Sequence, residues 1–76
     1  MNLQDFIEKF SEQFDETEAS EFSAETEFKK LDEWSSLIAL SVIAMVDEEY
    51  DVTLKGNDVN DSLTIGDLFN VVKSRV

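Results

Sequence analysis

Residues 34–50 read WSSLIALSVIAMVDEEY and contain the longest apolar run of the chain. Residues 34–46 include no charged residue, and three consecutive acids follow at positions 47–49. Ser35 is a good N-cap for a helix that begins at Ser36, because its hydroxyl can accept a hydrogen bond from a backbone N–H of the first turn. The stretch therefore predicts a central helix with a pair of hydroxyls at its start.

This central helix has two apolar faces. When residues are placed at 100° intervals, one face is predicted to pack on the core. Its members are Ala39, Val42, Ile43, Val46 and Tyr50. The opposite face consists of Leu37, Leu40, Ser41 and Ala44, followed by Asp47, Glu48 and Asp51. Leucines replace the charges of an ordinary surface helix, so the helix is either buried on both sides or has an outer docking face with an acidic rim. In so small a chain we favour the docking face.

Two further segments have the apolar periodicity of amphipathic helices. The first is predicted over residues 3–14 and follows an N-cap at Asn2. Its core positions are Leu3, Phe6, Ile7, Phe10 and Phe14. The last begins after Thr64, which forms a short capping box with Asp67. Its core positions are Ile65, Leu68, Phe69 and Val72.

The remaining segments connect these helices. Residues 15–33 have no clear period and are rich in acids, so we expect a long loop there. Its apolar anchors to the core are Phe22, Phe28 and Leu31. With a short helical turn near Val59, the sequence predicts an all-α fold. The expected architecture is a small bundle of three main helices plus one short helix, in a single domain over residues 1–76.

The composition limits the chemistry of the chain. It has no cysteine and no histidine, so it lacks disulfides, Cys-based zinc sites and the commonest general base. These absences disfavour a stand-alone enzyme. The nearest match to a calcium-binding EF-hand loop begins at Asp58, but Leu63 replaces its glycine and Phe69 its final glutamate. We therefore predict no metal site and interpret the many acids as a solvated surface.

The charge balance indicates the kind of partner. Eighteen acids and six bases give a formal net charge of -12. That charge disfavours nucleic acid and anionic membranes, and it favours partners with basic patches. No apolar stretch approaches the ~20 residues that span a bilayer, and the N-terminus lacks the pattern of a signal peptide. We expect a monomer in the cytoplasm.

The order of these features resembles the acyl carrier protein family, whose members bind phosphopantetheine, over essentially the whole chain. The resemblance depends on Ser36-Leu37 at a helix start, Asp47-Glu48-Glu49-Tyr50 at its end, Leu54, Thr64-Ile65, and the upstream Glu25-Thr26-Glu27-Phe28 and Lys30-Leu31. Three positions differ from the family. Ser35 replaces the aspartate of its Asp-Ser-Leu motif, the glycine before that motif is missing from residues 32–34, and Ser41 occupies an acidic position.

The resemblance implies a carrier protein that is not an enzyme. In the family, the serine before the leucine carries 4'-phosphopantetheine as a phosphodiester, and the matching residue is Ser36, with Ser35 as the alternative. The thiol of that arm carries acyl intermediates between enzymes of fatty-acid, lipid or polyketide biosynthesis. The implied partners are a phosphopantetheinyl transferase and acyl-processing enzymes with basic docking patches. The residues expected to contact them are Leu37, Leu40, Ala44, Asp47, Glu48 and Asp51.

Two alternatives stay open from the sequence. A closely related one is a peptidyl or aminoacyl carrier that an adenylating enzyme loads. Strong acidity and a free-standing length favour the acyl carrier over it. The other belongs to a different class: an unmodified, acidic helical adaptor for a basic partner.

Overall fold

Four α-helices and no strand make up the fold, and a computed structural model describes all 76 residues. The helices are α1 (Leu3–Ser11), α2 (Ser36–Tyr50), α3 (Gly56–Asp61) and α4 (Ile65–Lys73). Two single-turn 3₁₀ helices, Ala19–Glu21 and Phe28–Lys30, lie in the long connection between α1 and α2. The predicted all-α bundle of three main helices plus one short helix is confirmed.

Helix α1 is shorter than its apolar pattern predicts. It begins after Asn2, whose side chain accepts a hydrogen bond from a backbone N–H of the first turn. The predicted end at residue 14 is wrong, because the helix ends at Ser11. The N–H groups of Gln13 and Phe14 then bond to carbonyls three residues back, at 3.1 and 3.0 Å. This tighter turn still buries Phe14 in the core, which explains why the apolar spacing continues past the helix.

The buried stripe of α2 is rotated from the predicted one. Val42 and Val46 are fully buried, as the periodicity predicts. The other three members of the predicted core face, Ala39, Ile43 and Tyr50, are only half-buried. Met45, which was assigned to neither face, is buried as well. The stripe is therefore turned toward Met45 by about half of the 100° step between successive helical residues.

The core is rich in phenylalanine. All six phenylalanines of the chain are buried, and they include the loop anchors Phe22 and Phe28. The third predicted anchor, Leu31, is half-buried and packs against the same core. Helix α1 packs on both α2 and α4, and α3 packs on α4. The long loop is thus fixed to the bundle by aromatic side chains.

The start of α4 is joined to that loop by backbone hydrogen bonds. The predicted capping box is confirmed: Thr64 Oγ1 accepts from the Asp67 N–H, and the Asp67 carboxylate accepts from the Thr64 N–H, both at 3.1 Å. The Gly66 N–H donates to the Ala24 carbonyl oxygen at 2.8 Å. A Cβ atom on Gly66 would lie 2.9 Å from that same oxygen. Only glycine permits this close approach of loop and helix.

We therefore expect Gly66→Ala to destabilise the fold. The added methyl forces loop and helix apart, and overpacking of this kind costs about 1–3 kcal/mol. Alanine's better helix propensity, about 1 kcal/mol, reduces the net loss to at most about 2 kcal/mol. The free energy of unfolding in urea measures the difference.

Gly56→Ala is the matched control, because a Cβ atom there has no neighbour within 4 Å. We expect its stability to stay constant or to rise by up to about 1 kcal/mol. Equal stability of the two alanine variants would show that the loop does not approach Gly66 closely.

An ion pair joins the C-terminus to α3. The Arg75 guanidinium donates to both oxygens of the Asp58 carboxylate, at 2.8 and 2.9 Å. The Lys55 N–H donates to the same carboxylate at 2.9 Å. These hydrogen bonds, the one from Arg75 above all, lower the pKa of Asp58 from 3.8 to about 2. No local sequence pattern indicates this pair, because the two residues lie 17 positions apart.

The ion pair should make stability depend on acid pH. Because the pKa of Asp58 is lowered by folding, its contribution is fully present above pH 3.8 and is lost as pH falls toward about 2. We expect Asp58→Asn to flatten the fall in melting temperature over this range. Asp61→Asn is the control, since it removes a carboxylate of the same helix that forms no ion pair. An identical fall in wild type and Asp58→Asn would contradict this role.

Candidate functional site

The first turn of α2 separates the two serine hydroxyls by role. Ser35 Oγ accepts a hydrogen bond from the Ile38 N–H at 3.3 Å, so the predicted N-cap is confirmed. Ser36 is the first helical residue and is exposed, and its hydroxyl is not used for capping. The N–H groups of Ser36 and Leu37 have no acceptor within the chain, as is usual at a helix N-terminus. An exposed hydroxyl therefore lies beside two free backbone donors.

The outer face of α2 is exposed along its length. Leu37 is 73% exposed and Leu40 is 63% exposed. The structure therefore excludes burial of α2 on both sides, which was one of the two interpretations of its apolar pattern. All six residues predicted to contact partners are exposed: Leu37, Leu40, Ala44, Asp47, Glu48 and Asp51. Ser41, at the edge of this face, is half-buried.

The acids at the end of this face lack basic partners. Asp47, Glu48 and Asp51 form no ion pair, whereas the neighbouring Glu49 lies 3.5 Å from the Lys9 ammonium. Asp51 also ends the helix, with a left-handed backbone (φ 56°) that aspartate tolerates better than most residues. The outer face thus combines two exposed leucines with three uncompensated negative charges.

Glu33, two residues before the cap, was missed by the sequence analysis. Its carboxylate accepts hydrogen bonds from the N–H groups of Asp15 (2.6 Å), Glu16 (2.9 Å) and Thr17 (2.9 Å). The Thr17 hydroxyl donates a fourth at 2.8 Å. These donors, led by the Asp15 N–H, lower the pKa of Glu33 because they favour its charged form. Nothing in the sequence distinguishes this acid from its neighbours, since its partners lie 16 to 18 residues away.

Trp34 anchors the same segment by apolar contacts. Its ring stacks on Phe14 with 6.3 Å between centroids, and it meets Phe28 edge-on at 5.0 Å. Residues 33 and 34 thus fix the approach to Ser35 in two ways, one polar and one aromatic.

The acidic surface does not converge on one point. No group of three or more acids is placed to hold a metal ion. The largest depression, about 410 Å³, is open and lies against the long loop, where residues such as Glu16, Glu21 and Asp32 line it. A second, of about 330 Å³, lies between α1 and α2. Neither includes Ser36 in its lining.

Neither a scan against protein-family models nor searches of curated proteins and solved structures found a match to the chain. None of the four helices has the length and apolar character that crossing a membrane requires. Its function is therefore inferred from its own residues and their geometry.

Proposed function

We propose that the chain is an acyl carrier protein that bears 4'-phosphopantetheine on Ser36. The observation that carries this proposal is that the two adjacent serines have different roles. Ser35 caps α2, whereas Ser36 is the first helical residue and its exposed hydroxyl takes no part in capping. The resemblance of the whole chain to carrier proteins supports the same residue.

The local geometry fits the proposed group. A phosphodiester on Ser36 would lie at the N-terminus of α2, where the N–H groups of Ser36 and Leu37 have no acceptor within the chain. Helix N-termini stabilise phosphate through such donors and through the positive end of the helix dipole. The bound group would supply a thiol that carries acyl cargo as a thioester. The chain needs no nucleophile or general base for this task, in keeping with its lack of cysteine and histidine.

The outer face of α2 suits transient complexes with partner enzymes. Leu37, Leu40 and Ala44 would contact apolar patches on a partner. Asp47, Glu48 and Asp51 would contact its arginines and lysines, which raises the association rate more than the affinity. Because these acids are exposed, salt should weaken the complexes. Such a carrier would act as a monomer in the cytoplasm, beside a phosphopantetheinyl transferase and acyl-processing enzymes.

Two alternative functions are supported by some of the same features. A peptidyl or aminoacyl carrier would have the same attachment site and differ in its cargo. An unmodified adaptor would use the exposed leucines and the acidic rim alone. The adaptor differs from both carriers in one testable respect, because it would not accept a phosphopantetheinyl group.

Loading of the wild-type chain tests the proposal directly. We expect incubation with coenzyme A and a broad-specificity phosphopantetheinyl transferase to raise the intact mass by one phosphopantetheinyl group. A known carrier protein loaded in parallel controls for enzyme activity. An unchanged mass, under conditions that load the control, would contradict both carrier functions and favour the adaptor.

A further inference from the structure

We propose that Glu33 is a positioning residue that fixes Ser36 for its modification. This inference rests on the proposed function, since it concerns how the transferase receives the serine. Glu33 touches neither of the reacting groups. It would act through the two residues between itself and Ser36.

The first support is the way in which the carboxylate is held. Its Oε2 atom accepts from the Asp15 N–H, while Oε1 accepts from the Glu16 and Thr17 N–H groups and from the Thr17 hydroxyl. Both oxygens are engaged by consecutive residues, so the side chain is fixed in direction as well as in distance. This clasp joins the two ends of the 15–33 loop.

The second support is what the clasp restrains. Ser35 and Ser36 are exposed, and residues 33 and 34 connect them directly to the loop. Trp34 restrains this segment through its aromatic contacts, and the Glu33 clasp restrains it through hydrogen bonds. The neighbouring Asp32 is exposed and forms no ion pair. Loss of the clasp would therefore leave the segment next to Ser35 held by apolar contacts alone, those of Trp34 and of the half-buried Leu31.

The chemistry makes this restraint important. Loading transfers the phosphopantetheinyl phosphate of coenzyme A to Ser36 Oγ: the new P–O bond forms as the bond to the departing adenosine bisphosphate breaks, and the serine proton leaves to a base of the transferase. Reactions of this kind require the attacking oxygen in a defined position. A misplacement of about 1 Å can lower a rate by about 10²-fold.

Glu33→Gln and Glu33→Asp test the inference together. Gln retains the length of the side chain but loses the charge, whereas Asp retains the charge but is one methylene too short for the clasp. We expect both to lower kcat/KM for loading by at least about tenfold, with the KM for coenzyme A unchanged. Amide hydrogen exchange at Ile38 and Ala39, in the first turn of α2, should become faster in both variants.

The controls separate positioning from stability and from charge. All rates are measured at a temperature at which circular dichroism shows every variant folded, so a purely stabilising Glu33 would leave loading unchanged. Glu25→Gln removes one exposed charge from the same loop without breaking any side-chain contact. It should load within about twofold of wild type, since exposed charges contribute little singly.

Three results would overturn the inference, each for a different reason. Loading of Glu33→Gln at the wild-type rate would remove the positioning role and leave the carrier function intact. Slow loading of Glu33→Gln with normal loading of Glu33→Asp would indicate a direct charge contact with the transferase instead. If the wild-type chain is not loaded while a control carrier is, the carrier function and the role of Glu33 both fall.

Discussion

Ser36→Ala should abolish the gain in mass on loading, whereas Ser35→Ala should still be loaded. The variant that still loads, Ser35→Ala, should be the less stable of the two. Ser35→Ala removes the N-cap of α2, which costs about 1 kcal/mol in typical helices. Ser36→Ala removes an exposed hydroxyl that takes no part in capping, and such surface changes stay within about 0.5 kcal/mol. Intact mass and urea unfolding measure the two effects independently.

Loading and stability should thus be lost in different variants, so unfolding cannot be mistaken for loss of the attachment site. A variant that failed to load because it was unfolded would be recognised in the urea experiment, and we expect Ser36→Ala to be the more stable of the two. A mass gain that survives Ser36→Ala and disappears in Ser35→Ala would move the attachment to Ser35. The helix would then begin with an arm on its capping residue.

The parts of the fold that the sequence predicts well are those whose interacting residues lie close together in the chain. Ser35 and the first turn of α2, like Thr64 and Asp67, are partners three residues apart, so a short motif contains both sides of the contact. Apolar periodicity works for the same reason. The stripe of α4 is fully confirmed, because Ile65, Leu68, Phe69 and Val72 are all buried.

The parts that the sequence misses depend on distant residues. The Glu33 clasp, the Arg75–Asp58 pair and the approach of Gly66 to Ala24 each join separate segments. No local pattern distinguishes these residues from others of the same type. The rotation of α2 toward Met45 has a similar origin, because packing against α1 sets which half of a helix apolar on both faces is buried.

The sequence identifies the residues of the outer face of α2 but does not determine whether that face is buried or exposed. Two apolar faces are compatible with a buried helix as well as with a docking helix. The structure excludes burial on both faces, because Leu37 and Leu40 lie in solvent. Attachment to Ser36 and the choice of partners stay proposals.

Phe10→Ala should cause the largest loss of stability among single truncations. Phe10 is fully buried, and its ring lies 5.4 Å from Phe28, 5.6 Å from Phe14, and 6.3 Å from both Phe6 and Phe22. It therefore joins α1 to the loop anchors Phe22 and Phe28. Removing a buried phenylalanine costs about 3–5 kcal/mol, a large part of the roughly 5–15 kcal/mol that stabilises a typical domain.

Leu40→Ala is the matched truncation on the outer face of α2. Because Leu40 is 63% exposed, we expect the free energy of unfolding in urea to change by no more than about 0.5 kcal/mol. The same variant should bind partner enzymes more weakly, since it removes an apolar contact from the proposed docking face. A loss of stability comparable to that of Phe10→Ala would mean that Leu40 is packed inside the bundle. The docking face would then have to lie elsewhere, because a side chain that holds the core together is not available to a partner.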